Sequence, residues 1–326
     1  MKTLLIFIFG LTVWACSKED RESIPNGTWR NENATIQYYF KEGIACQVGE
    51  KVYMGLGIQG DDTYLENCTC LRFTLVEGLQ SMPDFPGEAR RGASAFVLGK
   101  KIYVGLGCQL REEGNKYFND FWVFDTETDT WEKCKHAFPE EARAYAYSFA
   151  IDGKGYVGTG STDKTAFHTS FMFDTLNGWK RYGEITWTLA KITGMFTFIA
   201  NQTAYVHSGA TLQRDSSYIC TGSIYKLHAG DVMWAESSEH SEVRPRRKFA
   251  SAFVLQHKGK EYAYIVGGLD DNDQALSSCW GYNPRSSQWE EKTPMPQALA
   301  KGVSFTLGNR GYIIGGTGAY SFGLED

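Results

Sequence analysis

Ile102-Tyr103-Val104-Gly105-Leu106-Gly107 is the stretch on which the reading of this chain turns. A β-branched and aromatic run favours an extended strand, and the two closing glycines let the backbone bend sharply where it leaves. The same pattern returns at 52–57, 155–160, 204–209, 263–268 and 311–316. A tyrosine holds its second position each time: Tyr53, Tyr103, Tyr156, Tyr205, Tyr264 and Tyr312. The closing glycines stand at 57, 107, 160, 209, 268 and 316, so successive gaps are 50, 53, 49, 59 and 48 residues. A strand recurring at a period near fifty predicts an all-β ring of small sheets, a β-propeller, rather than an α/β fold.

The unit is clearest between Arg91 and Arg143. Residues 93–98 are a small and apolar strand, Gly99-Lys100-Lys101 a tight turn, and 102–107 the second strand. After a long loop at 108–119, Phe121-Trp122-Val123-Phe124-Asp125 alternates into a third strand, and Thr130-Trp131-Glu132-Lys133 opens the fourth. Four antiparallel strands joined this way form one blade. Equivalent units carry Trp179, Trp234 and Trp289; the one at 45–90 lacks the tryptophan, and 70–75 is its predicted third strand. The last unit has two good strands, an irregular third at 320–324 and no fourth. Gly27-Thr28-Trp29 resembles Asp129-Thr130-Trp131, so the N-terminal segment is expected to supply the missing outer strand. That clasp closes a ring of six blades and removes its free edges. A further strand is expected at 35–40.

The bulk composition fits this. Aromatics make up 14%, there are 35 glycines and only 8 prolines in 326 residues, which favours twisted strands and tight turns. A formal charge of −5 gives a nucleic-acid partner no electrostatic support. No apolar run beyond residue 16 is long enough to span a bilayer.

The N-terminus reads as an export signal. Met1-Lys2 and an apolar run from Leu4 to Val13 have signal-peptide proportions. The run ends in Val13-Trp14-Ala15-Cys16, which resembles a bacterial lipobox, and Ser17-Lys18-Glu19-Asp20 resembles the export signal of surface lipoproteins in the Bacteroides group. The competing reading is an ordinary secretory signal with a chance cysteine. The resemblance implies a signal peptide at 1–15, acylation of Cys16, a tether at 16–25 and a propeller at 26–326. It also implies an outer-membrane, lipid-anchored protein at the cell surface, held by chains worth ~0.8 kcal/mol per buried CH₂. The anchor would be the chain's sole membrane contact. Seven cysteines remain, Cys46, Cys68, Cys70, Cys108, Cys134, Cys220 and Cys279; an odd number cannot all pair, and most read as small buried hydrophobes, with one or two disulfides allowed.

Tyrosine, then a glycine pair, then an aromatic third strand and a tryptophan about seven residues on resemble the kelch repeat. The pattern reads Tyr103, Gly105/Gly107, Phe124 and Trp131 in one unit, and Tyr264, Gly267-Gly268, Tyr282 and Trp289 in another. It covers nearly all of the chain after the tether. Gly-x-Gly replaces Gly-Gly in three units and His207-Ser208-Gly209 in a fourth, which marks a divergent branch. The aromatics are expected to be core between blades.

Each innermost strand is preceded by a cation: Lys41, Arg90 with Arg91, Arg143, Lys191, Arg247 with Lys248, and Lys301. The resemblance implies that these positions open onto one mouth of the central channel. Arg90, Arg91, Arg143, Lys191, Arg247 and Lys301 are therefore the predicted ligand-binding set, a local focus for a carboxylate on an acidic protein. The competing reading has them pairing with Glu88, Glu140, Glu141 or backbone carbonyls to order loops.

The expected function is recognition of a glycan or acidic ligand without catalysis, with no catalytic residue, metal or cofactor assigned. One alternative is a mutarotase acting on an acidic sugar such as sialic acid, with Glu88, Glu141 and His168 as acid/base candidates. Another is a protein-interaction scaffold. Copper oxidase chemistry is disfavoured because His136, His168, His207, His228, His240 and His257 are scattered with no paired spacing.

Overall fold

The computed structural model describes residues 22–60, 65–184, 192–213, 217–231, 234–236 and 246–324. Cys16 and the export segment, Lys191 and His240 lie outside them.

Six four-stranded antiparallel sheets follow one another along the chain. From the inside outward, the first blade is Ile44–Val48, Lys51–Gly55, Cys70–Thr74 and Gly78–Met82. The second is Ser94–Leu98, Lys101–Gly105, Phe121–Asp125 and Thr130–Lys133. The third begins with Tyr147–Ile151, the fourth with Phe196–Ala200, the fifth with Ser251–His257 and the sixth with Val303–Leu307. The sixth is completed from the other end of the chain: Gly27–Asn31 pairs antiparallel with Gly318–Leu324, Trp29 opposite Phe322. The expected clasp is thus present. Trp29 also does what its counterparts do. Its indole N–H donates to Thr293 O at 2.8 Å, as Trp131 donates to Pro83 O and Trp179 to His136 O, each tying an outer strand to the preceding blade.

The core is a set of aromatic and aliphatic layers between neighbouring blades. Phe96, for example, stacks on Tyr103 and meets Phe121, Phe173 and Trp179 of its own and the next blade. Such contacts, at centroid distances of 5.1–6.2 Å, lock blades by shape as well as by burial. Where the six innermost strands converge there is room only for small side chains. Ala45, Ala95, Ser148, Thr197, Ala252 and Ser304 line a central chamber of about 270 Å³. These strands do not form one continuous ladder, and hydroxyls bridge them instead: Ser148 Oγ donates to Ala95 O at 2.9 Å and Ser304 Oγ to Ala252 O at 2.8 Å.

One expectation is corrected. Residues 35–40 are not a strand; only Phe40–Lys41 is extended, paired with Ile58–Gln59 on the mouth side, while Ile36 and Phe40 are buried against the first and last blades. The cysteine pairing that the sequence left open resolves to none among the described residues: all seven described cysteines are free, and burial pushes the Cys46, Cys70, Cys108, Cys220 and Cys279 thiols up to about 12.

The ring has two unlike faces. Hairpin turns joining first to second and third to fourth strands make the turn face. The loops after each second strand, with the lead-ins to each innermost strand, make the loop face.

Candidate ligand site at the channel neck

Each innermost strand is reached through three lead-in residues, and their order sets what each side chain can do. The first position holds Arg90, Arg143 and Arg247, with Ile192 and Leu299 in other blades. Its carbonyl accepts the N–H of the preceding blade's closing glycine: Gly57 to Arg90, Gly107 to Arg143, Gly160 to Ile192, Gly209 to Arg247 and Gly268 to Leu299, at 2.8–3.3 Å. Glycine is needed there because of crowding. A Cβ on Gly107, at φ +96°, would meet Arg91 O at 2.7 Å.

The third position holds Glu42, Gly92, Tyr145, Gly194, Phe249 and Lys301. All six have left-handed backbone, φ between 54° and 67°. Five hydrogen bonds link their amides and carbonyls in an arc around the axis: Glu42 N to Lys301 O at 2.7 Å, Lys301 N to Phe249 O, Phe249 N to Gly194 O, Tyr145 N to Gly92 O and Gly92 N to Glu42 O. The six residues and those that follow them line a neck of about 140 Å³ that leads into the central chamber.

The predicted basic ring therefore divides. Arg90, Arg143 and Arg247 are buried, with 0%, 0% and 3% exposure, and do not line the neck. Arg90 donates to Leu106 O at 3.1 Å, to Glu88 O at 3.0 Å and in bidentate fashion to Asp120 at 2.6 and 3.2 Å, beneath the Phe118 ring. Arg143 repeats this with Thr159 O, Glu141 O and the Glu140 carboxylate at 2.6 Å, against Phe167. Arg247 donates to Gly267 O at 2.7 Å and to Ser278. All three staple the bend after the second strand of their own blade. Pairing with carboxylates and carbonyls to order loops, the competing reading of these arginines, is what they do here. Arg91 and Lys301 instead converge on Glu42, and of the two Lys301 lines the neck; Lys248 pairs with Asp273 at 2.7 Å on the same face.

At the centre of that convergence is Glu42, which the sequence did not single out. Its side chain is 3% exposed. Lys301 Nζ donates to its Oε1 at 2.7 Å, the Tyr145 hydroxyl donates to its Oε2, and Arg91 Nη1 lies 3.8 Å from Oε2. Arg91 is anchored from behind by Glu66, whose carboxylate is 2.7 Å from its Nε and also accepts the Leu110 amide. Burial pushes the Glu42 carboxyl up, but Lys301, the Tyr145 hydrogen bond and Arg91 outweigh it and hold it below its ordinary value. Burial and the adjacent Glu42 charge push Tyr145 well above the usual phenol range, so its hydroxyl keeps its proton. Lys301 lies 6.0 Å from the Tyr145 ring centroid and 5.2 Å from that of Phe249, and its side chain remains 32% exposed. It is the accessible cation of this cluster.

The acid/base candidates read from sequence lie elsewhere. Glu88 is half exposed and held by Arg111 at 3.3 Å and Lys116, Glu141 is exposed, and none of Glu88, Glu141 and His168 lines the neck. Among the described residues, no three His, Cys, Asp or Glu side chains are grouped to hold a metal ion.

Six blades, Gly-x-Gly bends and Trp-tied outer strands define a kelch-repeat β-propeller, and this chain belongs to that class. A kelch-motif family model matches residues 260–296, and a model described as N-acetylneuraminate epimerase matches residues 36–148. The chain is 32% identical over 170 residues to a Vibrio cholerae protein named N-acetylneuraminate epimerase, covering 51% of this chain and 41% of that one. It is 31% identical over 130 residues to a Vibrio vulnificus protein of the same name, covering 39% and 33%. The chain thus spans less than half the length of these curated relatives. The solved structure titled "Structure of YjhT" superposes with a TM-score of 0.70 at 16% identity, over 88% of this chain and 98% of that one, which shows the shared fold.

Proposed function

We propose that the neck binds an acidic sugar and catalyses opening and reclosing of its ring, a mutarotase reaction. The observation that carries this is the Glu42 carboxylate, buried on the propeller axis beside open volume and bridged to a tyrosine hydroxyl and a lysine. Two similar proteins bear the name N-acetylneuraminate epimerase, and the matched 36–148 segment contains Glu42, Glu66, Arg91 and Tyr145. Both support the reading.

The chemistry asks for a group that takes one proton and returns it. In the proposed step the anomeric hydroxyl gives its proton to the Tyr145 oxygen while Tyr145 passes its own to Glu42. The bond from the anomeric carbon to the ring oxygen breaks, the electron pair goes to the ring oxygen, and that oxygen takes the relayed proton. A carbonyl remains at the former anomeric carbon. Rotation about the adjacent carbon–carbon bond and the reverse sequence give the other anomer, so no proton is gained or lost. A tyrosine that stays neutral suits a relay, because no phenolate has to persist. Lys301 would hold the sugar carboxylate as a point charge. Arg91, locked between Glu42 and Glu66, fixes the position of Glu42.

A second reading, recognition without chemistry, is favoured by the fact that Glu42 and Arg91 already have their charges paired. Proton NMR of freshly dissolved N-acetylneuraminate separates the two. Faster exchange between anomers with protein present supports the mutarotase. Line broadening of the sugar with an unchanged exchange rate supports the binding module and overturns the enzyme.

A further inference from the structure

The N-terminal segment leaves the propeller on the face opposite the neck. Gly27 pairs with Leu324 and Asn31 with Tyr320, so the clasp strand runs from the turn face toward the loop face. Ile24, just before it, is buried in the core between the fifth and sixth blades; its carbonyl accepts Lys292 Nζ at 2.6 Å and its amide donates to Glu290 at 3.1 Å. Glu22 is bonded to Lys260, which closes the first hairpin of that blade opposite His257. The chain is therefore pinned at the turn-face rim.

Cys16, the predicted acylation site, lies six residues ahead of Glu22. Fully extended, that stretch reaches at most about 20 Å. The five-residue strands of a blade alone span about 17 Å, before any loop is added. A lipid on Cys16 can thus meet a bilayer lying along the turn face directly, whereas nearly all of that reach would be used up in passing the strands toward the loop face.

The turn face is chemically suited to such contact. Val76 is 94% exposed and Leu75 60% exposed at the tip of the hairpin joining the third and fourth strands of the first blade; Leu176, at the same tip in the third blade, is 86% exposed. Turn tips usually carry polar residues, as Glu127 and Thr128 do in the second blade. Of the six exposed large hydrophobics among the described residues, these three and Ile199 stand toward the turn face; Leu65 and Ile219 are on loop-face loops. The first hairpins add Lys51, Lys101, Lys154, Lys260 and Arg310, one each in five of six blades. Lys101 is paired with Glu132 and Asp125, Lys260 with Glu22, and Arg310 donates to Ser321 and Thr28 O, so the match to an acyl boundary rests on the apolar tips, with Lys51 and Lys154 beside them.

We propose that the turn face rests on the bilayer that holds the acylated N-terminus, with Leu75, Val76 and Leu176 dipping into the interface, so that the neck opens away from the membrane. The proposal stands whether the neck is catalytic or only binds.

Hydrogen exchange read by mass spectrometry tests it. The full-length protein would be produced in a lipidating bacterium and reconstituted into phosphatidylethanolamine/phosphatidylglycerol vesicles. A Cys16→Ala chain carrying the same mature residues, free in solution, is the reference. Exchange in 74–78 and 174–178 should slow about tenfold in the vesicle-bound form and stay unchanged at 109–117. The triple variant Leu75→Ser, Val76→Ser and Leu176→Ser should stay in the vesicle fraction through its acyl chains yet lose that protection. Slowing at the neck loops, equal slowing on both faces, or a mature N-terminal peptide without acyl groups on Cys16 overturns the proposal.

Discussion

Arg143 and Lys301 are both cations placed just before an innermost strand, and the sequence gives no reason to treat them differently. The fold separates them completely. Arg143, at the first lead-in position, points between the strands, with 0% exposure and its guanidinium committed to Thr159 O, Glu141 O, Thr169 and Glu140. Lys301, at the third, sits on left-handed backbone that turns it to the axis, where it meets Glu42 and stays partly exposed. Arg90 and Arg247 repeat the role of Arg143, whereas no other blade repeats Glu42 or Lys301 in the third position. Scaffold interactions recur with the repeat. The Glu42, Tyr145 and Lys301 cluster occurs once, at a position where the repeat fixes backbone and leaves the side chain open.

Substitutions in the two sets should therefore fail in different ways. The largest effect is expected for Glu42→Gln, which keeps the shape but cannot take a proton. Anomer exchange of N-acetylneuraminate should slow by roughly 10²–10⁴-fold. Stability should change by less than about 1 kcal/mol, since Lys301 stays solvated and Arg91 keeps Glu66. Arg143→Met should do the reverse. It leaves two backbone carbonyls without the Arg143 donor and the Glu140 carboxylate with the Thr169 hydroxyl but no cation from Arg143, and should cost roughly 3 kcal/mol in urea denaturation, with the turnover of the folded fraction within about threefold of wild type. A stable Arg143→Met protein that has lost turnover would collapse the distinction. Gly92→Ala lies between them. At φ +59° its new Cβ would meet the Tyr145 ring at 2.7 Å. Backbone strain of about 1–2 kcal/mol and an approximately tenfold slower exchange through a displaced relay are expected together.

The fold was largely legible in the sequence because its determinants repeat. Tyr103 with Gly107 and Tyr264 with Gly268 announce the same strand and bend, and Trp29 betrays its blade by resembling Trp131. Residues 35–40 misled because alternation at Thr35–Phe40 looks like a strand, while the buried Ile36 and Phe40 serve as a plug between the last and first blades. The neck was half legible. Arg91 and Lys301 were found as cations before a strand, but so were Arg90, Arg143 and Arg247, one or two positions away in register. Glu42 was missed because its column reads Glu, Gly, Tyr, Gly, Phe and Lys, with no shared chemistry. Only aligning the lead-ins on the closing glycines would have set Glu42 beside Lys301.

The smallest effect is a pH dependence that both regions share, and its sign is fixed by the carboxylates. Burial pushes Glu42, Asp120 and Glu140 up, yet their cations and hydrogen bonds win and hold each below its ordinary value of 4.5, 3.8 and 4.5. A carboxylate depressed in the folded state contributes stability above its unfolded value, and that contribution fades as pH falls through the folded one. The wild type should thus lose stability on acidification below about pH 4.5, earliest through groups whose protonation breaks a buried pair. Glu42→Gln has no such contribution to lose at the neck but keeps those of Asp120 and Glu140 at the staples. Its urea midpoint should therefore fall less steeply than that of wild type between pH 6 and pH 3, so that the two curves converge in acid without the variant's becoming flat. Parallel curves would mean that the Lys301–Glu42 contact contributes nothing to the folded state, and that the neck, unlike the staples, is held together by its backbone hydrogen bonds alone.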